Sequence, residues 1–539
     1  MWFFIHISAV VFIIIIIYKF LYIISIDSLI IFVKSRYSIC FFISSVLFVL
    51  FSLLNISLLT RYGWFYKKFL TDAGMKRVRY GSAFIFLLLI LASIYYSEKY
   101  QRVLNGELPD FADQYRYSAG PFVQFGPIAG GEVISVSSSM VVWWFTPVKS
   151  GHTAYIKFGT GPLPDAMETA IEELNGDGEK HTVVLKGLKP MTRYYYRVPD
   201  LDQTVYSFTT GTLGRTDTPY HVLCTGDVRN SKGVLKSFYS EVNLMADAVY
   251  SRERISPAFK IVLGDLTRHG KDYDSWNLYF TNEKIHSPVY PVMPVMGNHE
   301  MYEDYGGNYN YLFSNQRYYS YTYSNAVFIH INNYDGFLGT LGREQLDYLK
   351  KKLNEHYRKK WIIVSLHEPV LSTGDYNMNE LLISQLFQLF RDYRVDLVLA
   401  GHDHHYDSFH VDRESPWGGT LYIVNGGGGD KVDSFIMRRD NKRWKSWYHD
   451  RNSPYGLYQD DEYTVKYHLY GELSWGFVDI EIGGDRITTS YYRWIDIEDF
   501  LARTGQRSDK WDITPVPLTP ARMVHRVSKT RDFRAALQH

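Results

Sequence analysis

The stretch Arg394-Val395-Asp396-Leu397-Val398-Leu399-Ala400-Gly401-His402-Asp403-His404-His405 decides how the rest of the chain is read. Its apolar, partly β-branched first half predicts a short buried strand, and Gly401 lets the backbone turn sharply as it leaves. His402 and His404, two apart, then project from one short loop. Neutral imidazole is the commonest metal ligand among side chains. Taken alone, the same residues also fit a histidine cluster in solvent.

Four other segments end in the same way. Tyr220–Thr225 runs into Gly226-Asp227, and Phe259–Leu263 into Gly264-Asp265. Pro291–Met296 runs into Gly297-Asn298-His299-Glu300, and Trp361–Leu366 into His367-Glu368-Pro369. One acidic residue after a strand is ordinarily a turn former or a helix cap. Five strand ends supplying Asp, Asp, Asn, His and His-x-His point instead to one site, because open α/β sheets bind ligands beyond the carboxyl ends of their strands. The helical periodicity of Arg343–His356 and of residues 380–393, placed between these strands, makes the class α/β with layered helices.

Outside this region the chain changes character. At 539 residues it exceeds one domain, and its net charge of +1 gives no electrostatic argument for nucleic acid. Its two cysteines, Cys40 and Cys224, lie in apolar runs and predict no disulfide framework. Residues 1–97 contain about three apolar runs that approach the roughly 20 residues needed to cross a bilayer. The first run lacks the charged start and small-residue cleavage site of a signal peptide. The basic residues between the second and third runs (Arg61, Lys67, Lys68, Lys76, Arg77, Arg79) place that loop in the cytoplasm. The expectation is a multi-pass integral membrane protein, with the lipid bilayer as a partner and everything after Ser97 extracytoplasmic, periplasmic or at the cell surface. Residues 98–116 read as a stalk. Residues 117–213 alternate in short strands separated by turn clusters, which predicts a small antiparallel β-sandwich. The site domain spans 218–495 and closes with a hairpin near residues 475–494. Residues 496–539 read as a loosely ordered, mildly basic tail. Nothing in the composition decides the oligomeric state.

Gly226-Asp227, Gly264-Asp265, Gly297-Asn298-His299-Glu300, His367 and Gly401-His402-Asp403-His404 resemble, in order, the five motif blocks of the calcineurin-like metallophosphoesterases. The preceding sandwich and Tyr406 resemble the purple acid phosphatase branch. The resemblance implies a four-layer αββα sandwich preceded by a fibronectin III-like β domain. It also implies two divalent metal ions, drawn from Mn, Fe or Zn. Asp265 would bridge them, Asp227 and His404 would complete the first site, and Asn298, His367 and His402 the second. The implied reaction is hydrolysis of a phosphate ester by a hydroxide held on the dinuclear centre, with His299 protonating the leaving alkoxide. Two cations about 3.5–4 Å apart suit that chemistry on independent grounds. Glu300 either orients His299 or caps the next segment, and His405 and Asp407 are structural.

Two positions depart from the family pattern. Arg229 stands where many members carry a histidine, and Arg268 where purple acid phosphatases carry a metal-binding tyrosine. A guanidinium cannot ligate a metal. Each arginine either contacts substrate phosphate or forms a salt bridge beside the acidic ligands. The phosphate-ester substrate, monoester or diester, is set by loop walls that pattern alone does not reveal. The rivals to a hydrolase are a receptor or scaffold whose metal site has decayed and a phosphotransferase acting on an envelope component.

Overall fold

The computed structural model describes residues 117–146, 154–162, 167–171, 180–216, 218–229, 238–302, 304–314, 317–336, 339–357, 360–374, 379–430, 467–472, 474–496 and 522–531. Two β-sheets form the centre of the site domain. The six-stranded sheet runs in the spatial order Val292–Pro294, Pro257–Val262, Tyr220–Thr225, Ser474–Ile482, Arg486–Asp496 and Arg522–Thr530. The first three are mutually parallel, and the last three meander antiparallel from Tyr220–Thr225 outward. The nine-stranded sheet has a parallel core of Ala326–His330, Trp361–Ser365, Leu397–Ala400 and Thr420–Asn425. These strands are continuous runs of apolar, largely β-branched residues because both of their faces are covered.

The inner faces of the two sheets meet in one core. Val222, Phe259, Ile261 and Ile480 from one side join Phe328, Ile363, Leu399 and Ile423 from the other. Helices cover both outer faces. Arg343–His356 and Glu380–Asp392 bury Leu349, Leu353, Leu382, Leu386 and Phe390 against the nine-stranded sheet. The second of these helices begins at Asn379, whose side chain accepts the Leu382 N–H at 3.1 Å. Tyr239–Glu253 packs Val242, Ala246 and Val249 against Leu223, Trp475 and Phe477 on the other sheet. The helix Tyr273–Glu283 lies beside it. The layers therefore alternate helix, sheet, sheet, helix.

The preceding β domain pairs a three-stranded sheet built on Ser139–Phe145 with a four-stranded sheet built on Tyr155–Gly159 and Arg193–Arg197. Tyr194 Oη accepts the Lys189 N–H at 2.9 Å, which ties the turn before its strand to the strand itself. Phe122, Trp143 and Phe145 of this domain pack on Phe280 of the helix Tyr273–Glu283. The short pair Ile128–Ala129 and Glu132–Val133 extends the edge of the nine-stranded sheet.

Two expectations need correction. The closing hairpin is present, but the segment expected to be a loose tail supplies a sixth strand, Arg522–Thr530, along the edge of Arg486–Asp496. Its anchor is a buried cluster in which Lys529 Nζ and Arg531 Nη1 lie 2.7 and 2.8 Å from the Asp396 carboxylate. The second correction concerns the multi-pass membrane protein. Among the described residues no helix is long and apolar enough to cross a membrane, so that expectation is not supported. The three spans expected within 1–97, and the stalk 98–116, lie outside the described residues.

Candidate metal centre

All five predicted strand ends open onto one place. Asp227, Asp265 and Asn298 leave the parallel strands of the six-stranded sheet, and His367 and His402 leave those of the nine-stranded sheet. The carboxyl edges of both sheets are thereby brought together. The turns that achieve this are tight. Asp227, Asp265 and His402 all adopt left-handed backbone, with φ of 54°, 51° and 70°. Few non-glycine residues adopt that conformation, and aspartate and histidine are among those that tolerate it best. Gly264, at φ +85°, has no room for a side chain, because a Cβ there would lie 2.5 Å from His367 Nδ1.

The donor atoms converge. His367 is fully buried; its Nδ1 lies 2.6 Å from the Leu263 carbonyl oxygen and donates to it. That bond fixes the tautomer and leaves the Nε2 lone pair facing the site. Nε2 lies 3.1 Å from Asn298 Oδ1, 3.2 Å from Asp265 Oδ1 and 3.9 Å from Asp227 Oδ1. His402 packs its ring edge-to-face on His367, with centroids 5.2 Å apart, and its backbone N–H holds Asp227 Oδ2 at 2.7 Å. Asp227 Oδ1 accepts no well-formed hydrogen bond and faces His404 Nε2 at 3.4 Å. A buried carboxylate oxygen among imidazole nitrogens, beside an amide oxygen, is a donor set suited to a borderline divalent cation. Asp227, Asp265 and His367 offer ligand atoms all within 4.8 Å of one another. The residues present therefore fit a metal ion.

Electrostatics follow from burial. Burial pushes the Asp227 carboxyl up, against the pull of His367 and His404. Burial opposes ionisation of Asp265 too, but His367, His299 and the Arg229 guanidinium hold it well below the usual carboxylate range. His404 loses to burial and gains more from Asp430 and Asp227, which push it up to about 10.

Around this set the remaining predicted residues take distinct places. His299 Nδ1 donates to the Arg268 carbonyl oxygen at 2.5 Å, and Nε2 lies 3.7 Å from Asp265 Oδ2. Arg268 is half-buried, and no ion pair to its guanidinium is found among the described residues. Arg229 does form a salt bridge. Its Nε reaches Asp265 Oδ2 at 3.1 Å and its Nη1 reaches Asp430 Oδ2 at 2.6 Å. Glu300 caps the short helix Asn298–Met301 through the Gly297 N–H. It accepts the backbone N–H groups of Asp265, Thr267 and Gly297 and ties two of the loops together. Burial and the nearby Asp265 push Glu300 up to about 7. His405 and His468 both bond the buried Asp407 carboxylate, which also accepts from Thr373, so this network is structural.

Asp430 escaped the sequence reading. It follows the strand Thr420–Asn425 much as the predicted ligands follow theirs, but four intervening glycines hide the relationship. Two tyrosines after Asn298 flank the site: Tyr334, whose ring lies 6.0 Å from that of His367, and Tyr302. Tyr302 receives the Asn298 amide N–H on its hydroxyl at 3.0 Å and packs on the His299 ring at 4.6 Å. Tyr309 is a core residue that donates to the Pro294 carbonyl.

Comparison with known proteins identifies the two domains. Residues 220–406 match the calcineurin-like phosphoesterase family, and residues 132–210 match the purple acid phosphatase N-terminal domain. An uncharacterised protein of Mycobacterium tuberculosis is 27% identical over 398 residues, covering 61% of this chain and 71% of that one. Purple acid phosphatase 15 of Arabidopsis thaliana is 25% identical over 308 residues, 48% of this chain and 56% of the relative. Among solved structures, a purple acid phosphatase from yellow lupin seeds superposes with a TM-score of 0.55 at 16% identity, covering 78% and 76% of the two chains. PhoD superposes at 0.52 with 12% identity, covering 78% of this chain and 92% of its own. At those identities the structural likeness speaks for the fold.

Proposed function

Because the chain carries a calcineurin-like metallophosphoesterase domain behind a purple acid phosphatase N-terminal domain, we propose that it hydrolyses phosphate esters at a metal centre built by Asp227, Asp265, Asn298, His367, His402 and His404. The observation that carries this reading is the position of His367 Nε2. Locked in its tautomer from behind, it meets Asn298 Oδ1 and Asp265 Oδ1 at 3.1 and 3.2 Å in a buried setting.

When bound, divalent cations neutralise phosphoryl charge and acidify water, which is the chemistry this superfamily draws from its dinuclear centre. The chain's own residues handle orientation and protons. Asp265 presents a carboxylate kept ionised by its neighbours. His299 keeps one ring nitrogen on the Arg268 carbonyl and turns the other toward the reaction side; burial weakens its hold on a proton, which makes its protonated form a stronger donor to the departing alkoxide. Arg268, with its guanidinium out of any ion pair among the described residues, takes a phosphate oxygen. Tyr302 braces both Asn298 and His299.

The test is hydrolysis of p-nitrophenyl phosphate and bis(p-nitrophenyl) phosphate after chelation and after add-back of Mn, Fe(II) or Zn. Turnover restored by one of these metals and abolished in Asp265→Asn is the expected result. No turnover with any of them would sink the hydrolase reading and favour a scaffold, to which the Arg229–Asp265 salt bridge already lends some support.

A further inference from the structure

The two oxygens of Asp265 face different things. Oδ1 accepts the His299 backbone N–H at 3.1 Å and lies 3.2 Å from His367 Nε2, within the donor set that fits a metal. Oδ2 accepts Arg229 Nε at 3.1 Å. Arg229 Nη1 then lies 2.6 Å from Asp430 Oδ2, and that same oxygen is 3.7 Å from His404 Nε2. A guanidinium thus sits on the Asp227–His404 side of Asp265, with a carboxylate on each side of it.

This placement is hard to undo. Asp265 and Asp430 are each 1% exposed, and the Arg229 side chain 11%. Parting a desolvated pair leaves a buried charge without its partner, which costs far more than parting one at the surface. The guanidinium also stays protonated at any pH the fold tolerates. A divalent cation placed beside it meets a like charge and finds Oδ2 of Asp265 already engaged. Among the described residues, Asp227, Asp265 and His367 are the one group of three acidic, histidine or cysteine side chains whose ligand atoms lie within 4.8 Å of one another.

Resting on the metal-dependent reading above, we propose that this chain holds a single divalent metal ion, at Asp227, Asp265, Asn298, His367 and His402, and that the Arg229 guanidinium, clamped by Asp265 and Asp430, occupies the place of the second and brings one fixed positive charge there. Asp430 is the positioning residue that makes the replacement permanent. On this reading His404, counted above among the builders of the centre, is instead an electrostatic neighbour of Asp227 and Asp430, at 3.4 and 3.7 Å. A phosphate ester would then face one metal ion and one fixed guanidinium, whose charge does not depend on metal supply.

The experiment counts metals. The purified full chain is saturated with Mn(II), desalted and measured for metal per chain, with electron paramagnetic resonance on the same sample. The wild type is expected to hold one Mn per chain and show an isolated-ion spectrum. Arg229→His, which removes the fixed charge and adds a ligand, is expected to approach two per chain with an exchange-coupled spectrum. Two coupled ions in the wild type, or a folded Arg229→His that still holds one, would overturn the proposal. Should that variant fail to fold, the wild-type spectrum decides by itself. A wild type that holds no metal sinks both this proposal and the metal-dependent reading. One Mn per chain without turnover of p-nitrophenyl phosphate sinks only the latter.

Discussion

The buried Glu300 carboxylate accepts the backbone N–H of Asp265 at 3.0 Å, so the loop leaving one strand is built upon the loop leaving another. The same side chain takes the Gly297 N–H at 2.8 Å and the Thr267 N–H at 2.9 Å. Asp265 sits in left-handed backbone at φ 51°, and these bonds help to hold it there. Glu300→Ala leaves three buried donors without an acceptor, at about 1–3 kcal/mol each. Urea unfolding should show a loss above about 3 kcal/mol, and Mn(II) titration an affinity about 10–100-fold weaker. Glu300→Gln, which keeps one acceptor oxygen, should recover part of both. A Glu300→Ala variant as stable as the wild type would refute this account.

His299 is assigned to the leaving group, and substrates of different leaving-group basicity separate that role from a structural one. Alkyl phosphates need their alkoxide protonated, whereas p-nitrophenolate leaves without help. His299→Ala should lower kcat for an alkyl phosphate by about 10²–10⁴-fold and for p-nitrophenyl phosphate by much less. Equal losses on both substrates would remove the general-acid role.

Gly264 is required for shape. Besides its φ of +85°, a Cβ there would lie 2.5 Å from His367 Nδ1 and 2.9 Å from the Gly297 backbone. Gly264→Ala must therefore push His367 off the Leu263 carbonyl that orients it. Calorimetric titration with Mn(II) should show binding weakened by at least about tenfold. Unchanged affinity would mean that the His367 tautomer is not set from behind.

The C-terminal strand is held by charge as well as by its ladder. Asp396 meets Lys529 and Arg531 in full burial and also accepts the Ile362 N–H at 2.9 Å. Burial outweighs Asp396 at Lys529 and brings that ammonium down to about 8, so it remains charged at neutral pH. Asp396→Ala strands two buried cations and should cost about 3–5 kcal/mol in urea unfolding. A change within about 0.5 kcal/mol, typical of surface substitutions, would show the strand contributes no such anchor.

His330 gives the fold an acid limit of its own. It stacks on Tyr319 and Tyr321 at 4.7 and 5.4 Å, and burial pushes it from 6.5 down to about 3. Between those values the unfolded chain binds the proton and the folded chain does not. Stability therefore rises with pH through this window and is lost as pH falls from 6.5 toward 3, by up to about 1.4 kcal/mol per unit. His330→Phe keeps the stack and removes the titration, so unfolding measured across that range should show a shallower acid slope. An unchanged slope would place the acid sensitivity elsewhere.

The metal-centre residues could be read from the sequence because each lies just beyond a strand whose apolar run is a local signal. Polar residues at successive strand ends must meet once the strands lie parallel, so Asp227, Asp265, Asn298, His367 and His402 needed only the class of fold. The helices Arg343–His356 and Glu380–Asp392 were legible for the same reason, their burial repeating with the turn of the helix. What Arg229 does was not local. Its two equally plausible roles differ only in whether Asp265 and Asp430 stand within reach, and Asp430 arrives from a strand in the other sheet. The strand Arg522–Thr530 was missed because a mildly basic, interrupted sequence becomes a strand only when an open edge and a buried Asp396 are there to receive it. Sequence alone determined which groups are offered to a cation, since periodicity places them. Tertiary structure alone decided which positive charge each carboxylate faces, since that depends on distances between elements far apart along the chain.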